Sequence, residues 1–451
     1  MNALWTSAET EAATLGTAGA KFEANGLSID TRTLKRGDLF VALKDARDGH
    51  DFVAAAFGAG AAAAMVSREV EAKGALLKVA NTLRGLEDLA RASRARSDAK
   101  IAAVTGSAGK TTTKEILRLA LGALGTTHCS AASFNNQWGV PLSLAAMPRD
   151  TRYAVFEIGM NHFGEIRALV GMVKPHAALV TTIAPAHLEF FGNCAAIADA
   201  KSEIFEGLVP GGAALIPADS PYAERLAARA RQGHAARILR FGESSGSDAR
   251  LLSYEEQPGG AKVSADICGM PASFALGAPG RHIAANAVGA LLAVAMLEGD
   301  VLNAAAALKD FTPLKGRGAR FRAGGIEIID ESYNANPASM RAALALLGAV
   351  KGRRVALLGD MLEMGPDAAH HHADLAAPIE AARTDLVYLC GPHMRALWDT
   401  LPASRRGRYA ATAAELSPTL MKELRDGDVL LVKGSNGMKL GAVVETLRAR
   451  G

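Results

Sequence analysis

Residues 101–113 read IAAVTGSAGKTTT, and the helical pattern KEILRLALGAL follows without a break. A short apolar run, two glycines, a lysine and three hydroxyls leading into an amphipathic helix predict a strand, a tight turn and a helix. That junction constrains the chain to an α/β layer in which a buried strand delivers its carboxyl end to a helix amino terminus. Gly106 and Gly109 allow backbone conformations and a close approach that a Cβ would obstruct. Successive N–H groups and the helix terminus can then surround phosphate oxygens. Lys110 is expected to reach the terminal phosphates and the Thr111 hydroxyl to help hold Mg²⁺. Val104 occupies the place of the first glycine in the common G-x-x-x-x-G-K-[ST] spacing, so the loop is atypical, yet its phosphate-facing glycines remain. By itself the loop leaves open an ATP-driven ligase, a transporter ATPase and a GTPase.

The rest of the chain is organised around this junction. YAVFEIG, AALVTTI and AALIPA read as further strands, separated by helical segments such as AAIADAKSEIFEGL, and RHIAANAVGALLAVAMLEG closes the series. This alternation predicts a mainly parallel sheet with crossover helices. Before it lie short strand-like pieces such as DLFVAL, ending in the polar segment LARASRARSDAK. After it, the Pro/Gly/basic segment FTPLKGRGARF reads as a linker into a second α/β series: IEIID, a helix from Pro337, then RRVALLG, DLVYLC and DVLLVKG. Three domains are expected, over residues 1–98, 99–312 and 313–451; that number suits a chain of 451 residues.

Composition narrows the partners. A net charge of +4 with no basic run gives no footprint for nucleic acid. Cys129, Cys194, Cys268 and Cys390 lie far apart with no C-x-x-C spacing, which argues against a disulfide framework or zinc site and for a reducing compartment. The segment MNALWTSAETEAATLG has no basic residue before an apolar run, so no leader is read there. The most apolar stretch, Val53 to Val66, is mostly Ala and Gly and falls short of the ~20 strongly apolar residues a membrane span needs. A cytoplasmic protein with no membrane insertion is expected.

Three side chains follow the phosphate loop in the same series. Glu157 ends one strand, His187 follows the next, and Lys201 sits on the helix after that. Ligands of open α/β sheets bind beyond the carboxyl ends of the strands, so Glu157 and His187 are expected near the loop. A carboxylate suits Mg²⁺, a hard cation that prefers oxygen.

TGSAGKTTTKE, NNQWGVPLSL, EIGMN, AHLEFFG with IADAKSEIF, and GRHIAANAVGA together resemble, in order, the motifs of the Mur ligases, ATP-dependent amide-forming enzymes of peptidoglycan precursor synthesis. LSIDTRTLKRGDLFVALKDARDGHDF is similar to their UDP-binding first domain. DESYNANPASM, LLGDMLEMG and LVKGSNGMKL extend the resemblance to the last. It implies a small α/β UDP-binding domain, a central parallel-sheet ATPase domain with the phosphate loop, and a Rossmann-like third domain that closes over ATP. FNNQWGVP and YNANPAS resemble the branch that joins D-alanyl-D-alanine to UDP-N-acetylmuramoyl-tripeptide, acting as a monomer. Neither the threonine-proline motif nor the DNPR-like selector of the branch that adds the third residue is present. A sister ligase adding a different amino acid and a regulatory phosphate-loop ATPase are the alternatives.

Residue by residue, the resemblance assigns Thr105, Gly106, Ser107, Ala108, Gly109, Lys110, Thr111 and Thr112 to ATP phosphates and Asn286 to the adenine. Arg317 and Asp330 would act where the third domain closes over ATP. Thr111 and Glu157 would bind one Mg²⁺, and His187 with a carbamylated Lys201 a second. Lys110, His187 and Lys201 form the implied catalytic set. Ser28, Asp30, Thr31 and Arg32 would face the UDP end, Asn135 and Asn136 the muramoyl peptide, and Tyr333, Asn334 and Asn336 the dipeptide. Gln137-Trp138 stands where Glu-Ile is expected in that loop.

Overall fold

The computed structural model describes residues 3–130, 133–233 and 235–449. Its centre is a nine-stranded sheet in which the strand Lys100–Thr105 lies between Tyr153–Glu157 and Ala177–Val180. Six strands, from the edge Thr127–Cys129 to Arg237–Gly242, run parallel. The chain leaves Lys100–Thr105 for the edge, returns through Tyr153–Glu157, and crosses to the other side at Ala177–Val180. That reversal places a crevice at the carboxyl ends of these strands, where such sheets take their ligands.

Near-continuous apolar strands are what a sheet covered on both faces requires. Ile101, Ala103, Phe156 and Val180 point into one core, and Val104, Val155 and Leu179 into the other, against the helices Lys110–Gly122 and Arg281–Met296. The sheet continues into three more strands: Ala249–Gln257 pairs parallel with Arg237–Gly242, and Gly260–Ile267 and Met270–Leu276 follow in antiparallel pairs. Alternating sequences such as KVSADI carry a half-buried strand pattern, and the turns at Gly259 (φ 79°) and Gly269 (φ 84°) reverse the chain.

The first block builds a five-stranded sheet, four strands of it parallel. Its helix Thr82–Ala95, capped by the Asn81 side chain, packs on Gly139–Ala145 and Glu165–Val173. The indole of Trp5 donates to the Ala145 carbonyl at 2.9 Å, while Arg96 stacks 3.8 Å over its ring. One apolar core therefore runs from the first block into the central sheet.

The last block is a six-stranded sheet with its own core on each face. Five strands are parallel; Ala319–Ala323 pairs antiparallel with Ile326–Glu331 at the edge. The segment expected as a linker thus ends in a strand. Gly316 (φ 75°) and Gly318 (φ 96°) shape the preceding turn, which the buried Asp330 carboxylate fastens by accepting from the Gly316 N–H at 2.8 Å. Among the described residues no helix is long and apolar enough to cross a membrane.

Candidate active site

The crevice opens into a cleft of about 940 Å³ lined from the central and last blocks, with Glu87 and Arg91 of the helix Thr82–Ala95 at its edge. At its floor the phosphate loop has both glycines left-handed or near it, Gly106 at φ 151° and Gly109 at φ 81°. A Cβ at Gly106 would fall 1.8 Å from the Thr181 hydroxyl, and one at Gly109 2.8 Å from the Asn286 amide nitrogen. The cradle is thus closed to any side chain. Thr181 accordingly donates to the Ala108 carbonyl at 2.5 Å, and Ser107 accepts from the Ala184 N–H at 3.0 Å. Lys110 opens the helix and donates back to the Gly106 carbonyl at 2.7 Å. Burial pushes its pKa down, Arg317 adds to this, and Glu157 opposes it. Ser107, Ala108, Gly109, Lys110, Thr112 and Asn286 line the cleft; Thr105, fully buried below the loop, does not.

Glu157 is fully buried at the end of its strand, yet its carboxylate borders the cleft. Thr111 donates to Oε2 at 2.8 Å and Asn135 to Oε1 at 2.7 Å. A carboxylate oriented by two neutral donors offers hard oxygen beside a hydroxyl, a donor set that fits Mg²⁺. Asn135 therefore faces Glu157, while Asn136 uses its amide oxygen to accept from the Gly139 N–H at 2.9 Å, starting the helix Gly139–Ala145. Gln137, at the departure from the expected motif, lines the cleft.

His187 and Lys201 have different surroundings. His187 lines the cleft, but its Nδ1 meets Glu363 of the last sheet's loops at 2.5 Å. Lys201 is buried on the helix Cys194–Ser202, which the Asn193 side chain caps, and its amine has no hydrogen bond or ion pair among the described residues. Burial, reinforced by the charge of Lys110, drives its pKa well below the ordinary lysine value. An ammonium there would repel Mg²⁺; a carbamate oxygen on the same atom would suit it.

The last domain reaches the loop directly. Asn336 donates to the Ser107 carbonyl at 3.0 Å, and Arg317 donates to the Ser133 hydroxyl at 2.9 Å while stacking 3.8 Å over the Tyr333 ring. Asn336 also caps the helix Pro337–Ala349 through a reciprocal box with Ser339. Tyr333, Asn334 and Asn336 share the cleft wall; Asp330 lies behind it, holding Gly316 and Ser332. Two residues absent from the sequence reading join them. Lys433, buried at a strand end, donates to Glu331 at 3.2 Å and to the Asn334 carbonyl at 2.9 Å. The end of the strand LVKG carried the signal, but its partner is on a strand adjacent only in space.

Ser28, Asp30, Thr31 and Arg32 lie outside this cleft, at the carboxyl end of the first sheet's strand Gly26–Ser28. Arg32 binds Asp30 through its main-chain N–H and its guanidinium, holding the carboxyl at a pKa of about 2.

Three α/β layers, a phosphate loop at a topological switch point and a third domain touching that loop define a nucleotide-phosphate-handling enzyme. The Mur ligase middle-domain model matches residues 104–294, and the Mur ligase glutamate ligase domain model matches residues 316–436. UDP-N-acetylmuramoyl-tripeptide–D-alanyl-D-alanine ligase of Rickettsia prowazekii (strain Madrid E) is 35% identical over 93% of this chain and 94% of its own. A crystal structure of MurF from Acinetobacter baumannii superposes with a TM-score of 0.88 at 30% identity, covering 99% of both chains. MurF from Thermotoga maritima, solved in complex with ADP, gives 0.80 at 25% identity over 94% of this chain and 97% of that one. The chain belongs to the Mur ligase family.

Proposed function

We propose that this chain joins D-alanyl-D-alanine to UDP-N-acetylmuramoyl-tripeptide with conversion of ATP to ADP and phosphate, as a cytoplasmic, monomeric step of peptidoglycan precursor synthesis. The observation that carries this is similarity to relatives of that name over nearly the whole length, first domain included. A sister ligase would share the fold over that length but not that identity, and a regulatory ATPase would need no such first domain.

The tripeptide carboxylate attacks the γ-phosphorus of ATP; the bond to the β,γ-bridging oxygen breaks and ADP leaves, giving an acyl phosphate. The dipeptide amine then attacks the acyl carbon, loses a proton, and phosphate departs. Lys110 releases Gly106 to neutralise the γ-phosphate, the loop N–H groups hold the β-phosphate, and Asn286 meets the base. Thr111 with Glu157, and His187 with carbamylated Lys201, would hold two Mg²⁺ ions. Bound there, Mg²⁺ withdraws charge from the phosphate oxygens. The Lys201 amine suits carbamylation because a neutral amine is the nucleophile CO₂ requires: the C–N bond forms, a proton leaves, and an anionic oxygen replaces a cation.

Acyl phosphates hydrolyse readily, so water must be kept out. Arg317 and Asn336 support a reading in which the last domain, 313–451, closes over the loop from the central domain, 99–312. Tyr333, Asn334 and Asn336 border the dipeptide, Asn135 and Asn136 the peptide end. Ser28, Asp30, Thr31 and Arg32 of the domain 1–98 hold the UDP end outside the cleft. Phosphate release measured with the UDP-muramoyl tripeptide, varying only the second substrate, tests the assignment. D-alanyl-D-alanine is expected to support turnover and single amino acids are not. Full-rate ATP hydrolysis with neither substrate present would exclude it.

A further inference from the structure

The contact between His187 and Glu363 joins residues 176 positions apart, from two domains. Both residues are left-handed, His187 at φ 56° and Glu363 at φ 62°, a conformation that a non-glycine residue holds only where its surroundings enforce it. The surroundings do so from both sides. The Glu189 N–H donates to the Glu363 carbonyl at 3.1 Å, and Leu188 packs against the apolar cores of both domains. Gly365, left-handed at φ 68°, brings its backbone against Leu188 and Glu189, where a Cβ would stand 3.5 Å from the Glu189 nitrogen. The loop after the strand Ala177–Val180 and the loop after Arg353–Gly359 therefore interlock.

The chemistry of the pair is directional. An ionised carboxylate only accepts, so at 2.5 Å the imidazole proton resides on Nδ1. In the neutral ring Nε2 then carries the lone pair, and the ring lines the cleft. A carboxylate fixing the far nitrogen of a histidine is the arrangement that orients histidines toward cations.

We infer that Glu363 is a positioning residue for the cation site of His187, so that closure of the last domain completes this site by fixing the imidazole tautomer and ring orientation. The inference rests on His187 being an Mg²⁺ ligand. It makes cation binding and domain closure thermodynamically linked: each favours the other by the same factor.

Mn²⁺ binding to the full chain, saturated with ADP and the UDP-muramoyl tripeptide and followed by electron paramagnetic resonance, tests it. Wild type is expected to take up two Mn²⁺, and His187→Ala to lose one. Glu363→Ala should weaken that same site about 10- to 100-fold while leaving the other unchanged. Glu363→Gln keeps an acceptor for Nδ1–H and should stay close to wild type, and the double variant His187→Ala/Glu363→Ala should lose no more than His187→Ala. Glu363 is 42% exposed at its side chain, so these variants are expected to melt with wild type. If Glu363→Ala binds both ions as wild type does while His187→Ala loses one, Glu363 is a domain clip and the inference fails. If His187→Ala keeps both, His187 is not a ligand and the underlying reading fails instead.

Discussion

Asn336, on the last domain, donates its side-chain amide to the main-chain carbonyl of Ser107 in the phosphate loop at 3.0 Å. The same side chain caps the helix Pro337–Ala349 through its oxygen. One residue thus ties the start of a helix in one domain to the nucleotide cradle of another.

The two roles separate by substitution. Asp at 336 keeps the cap, because a carboxylate oxygen still accepts from the Ser339 N–H, but it has no donor for Ser107. Asn336→Asp is expected to raise the KM for ATP at least tenfold with little change in melting temperature. Asn336→Ala should add a loss of about 1 kcal/mol in denaturant unfolding.

Gly106 tolerates no side chain. At φ 151°, with a Cβ 1.8 Å from the Thr181 hydroxyl, Gly106→Ala must displace either the loop or the strand end beside it. Calorimetric titration with ADP should show binding lost or weakened more than tenfold. Denaturant unfolding should show destabilisation of about 1–3 kcal/mol, the usual range for an overpacked site.

Lys201→Ala should lose most activity, and short carboxylic acids added to the assay should partly restore it by supplying the missing oxygen. Enzyme equilibrated with ¹³CO₂ should show a carbamate carbon resonance that this variant lacks. Full activity of CO₂-depleted enzyme with a free amine at Lys201 would count against the carbamate.

His176 gives a stability dependence on pH with a definite sign. Its Nδ1 accepts from the Ile101 N–H at 3.0 Å, and burial with the nearby charges of Arg94 and Lys100 lowers its pKa to about 4, from the ordinary 6.5. The unfolded chain therefore takes up a proton between these values that the fold refuses. Stability is full above pH 6.5 and falls as pH drops toward 4. Half-buried His128 shifts in the same direction. Midpoints of urea unfolding at pH 7.5 and 5 should differ, and His176→Gln should reduce the difference.

Much of this was legible because it is local. The strand-turn-helix at Ile101–Leu121 needs only an apolar run, two glycines and a 3.6-residue pattern, and Thr111 and Lys110 follow in register. Parallel strands such as Tyr153–Glu157 announce themselves as unbroken apolar segments. The edge strands were harder: Thr127–Cys129 is three half-buried residues, and Ala319–Ala323 lies in a Pro/Gly/basic segment that reads as linker.

Contacts between segments distant in sequence left no trace in local pattern. Glu363 and Lys433 are ordinary polar residues at loop and strand ends, and each acquires meaning from a partner about a hundred or more positions away. The side chains of Asn136 and Asp330, in motifs that suggest ligands, also accept from the Gly139 and Gly316 N–H groups.

The sequence by itself determined the phosphate loop, the α/β alternation and the order of the family's motifs, since these depend on residue type and short-range period. Tertiary structure alone decided which polar groups each carboxylate faces. Thr111 and Asn135 converge on Glu157 because neighbouring parallel strands end together, and His187 turns to Glu363 because a loop of the last domain packs on its own. Such pairings depend on how separately formed layers dock, and the energy of docking comes from apolar surfaces that constrain no particular polar partner in advance.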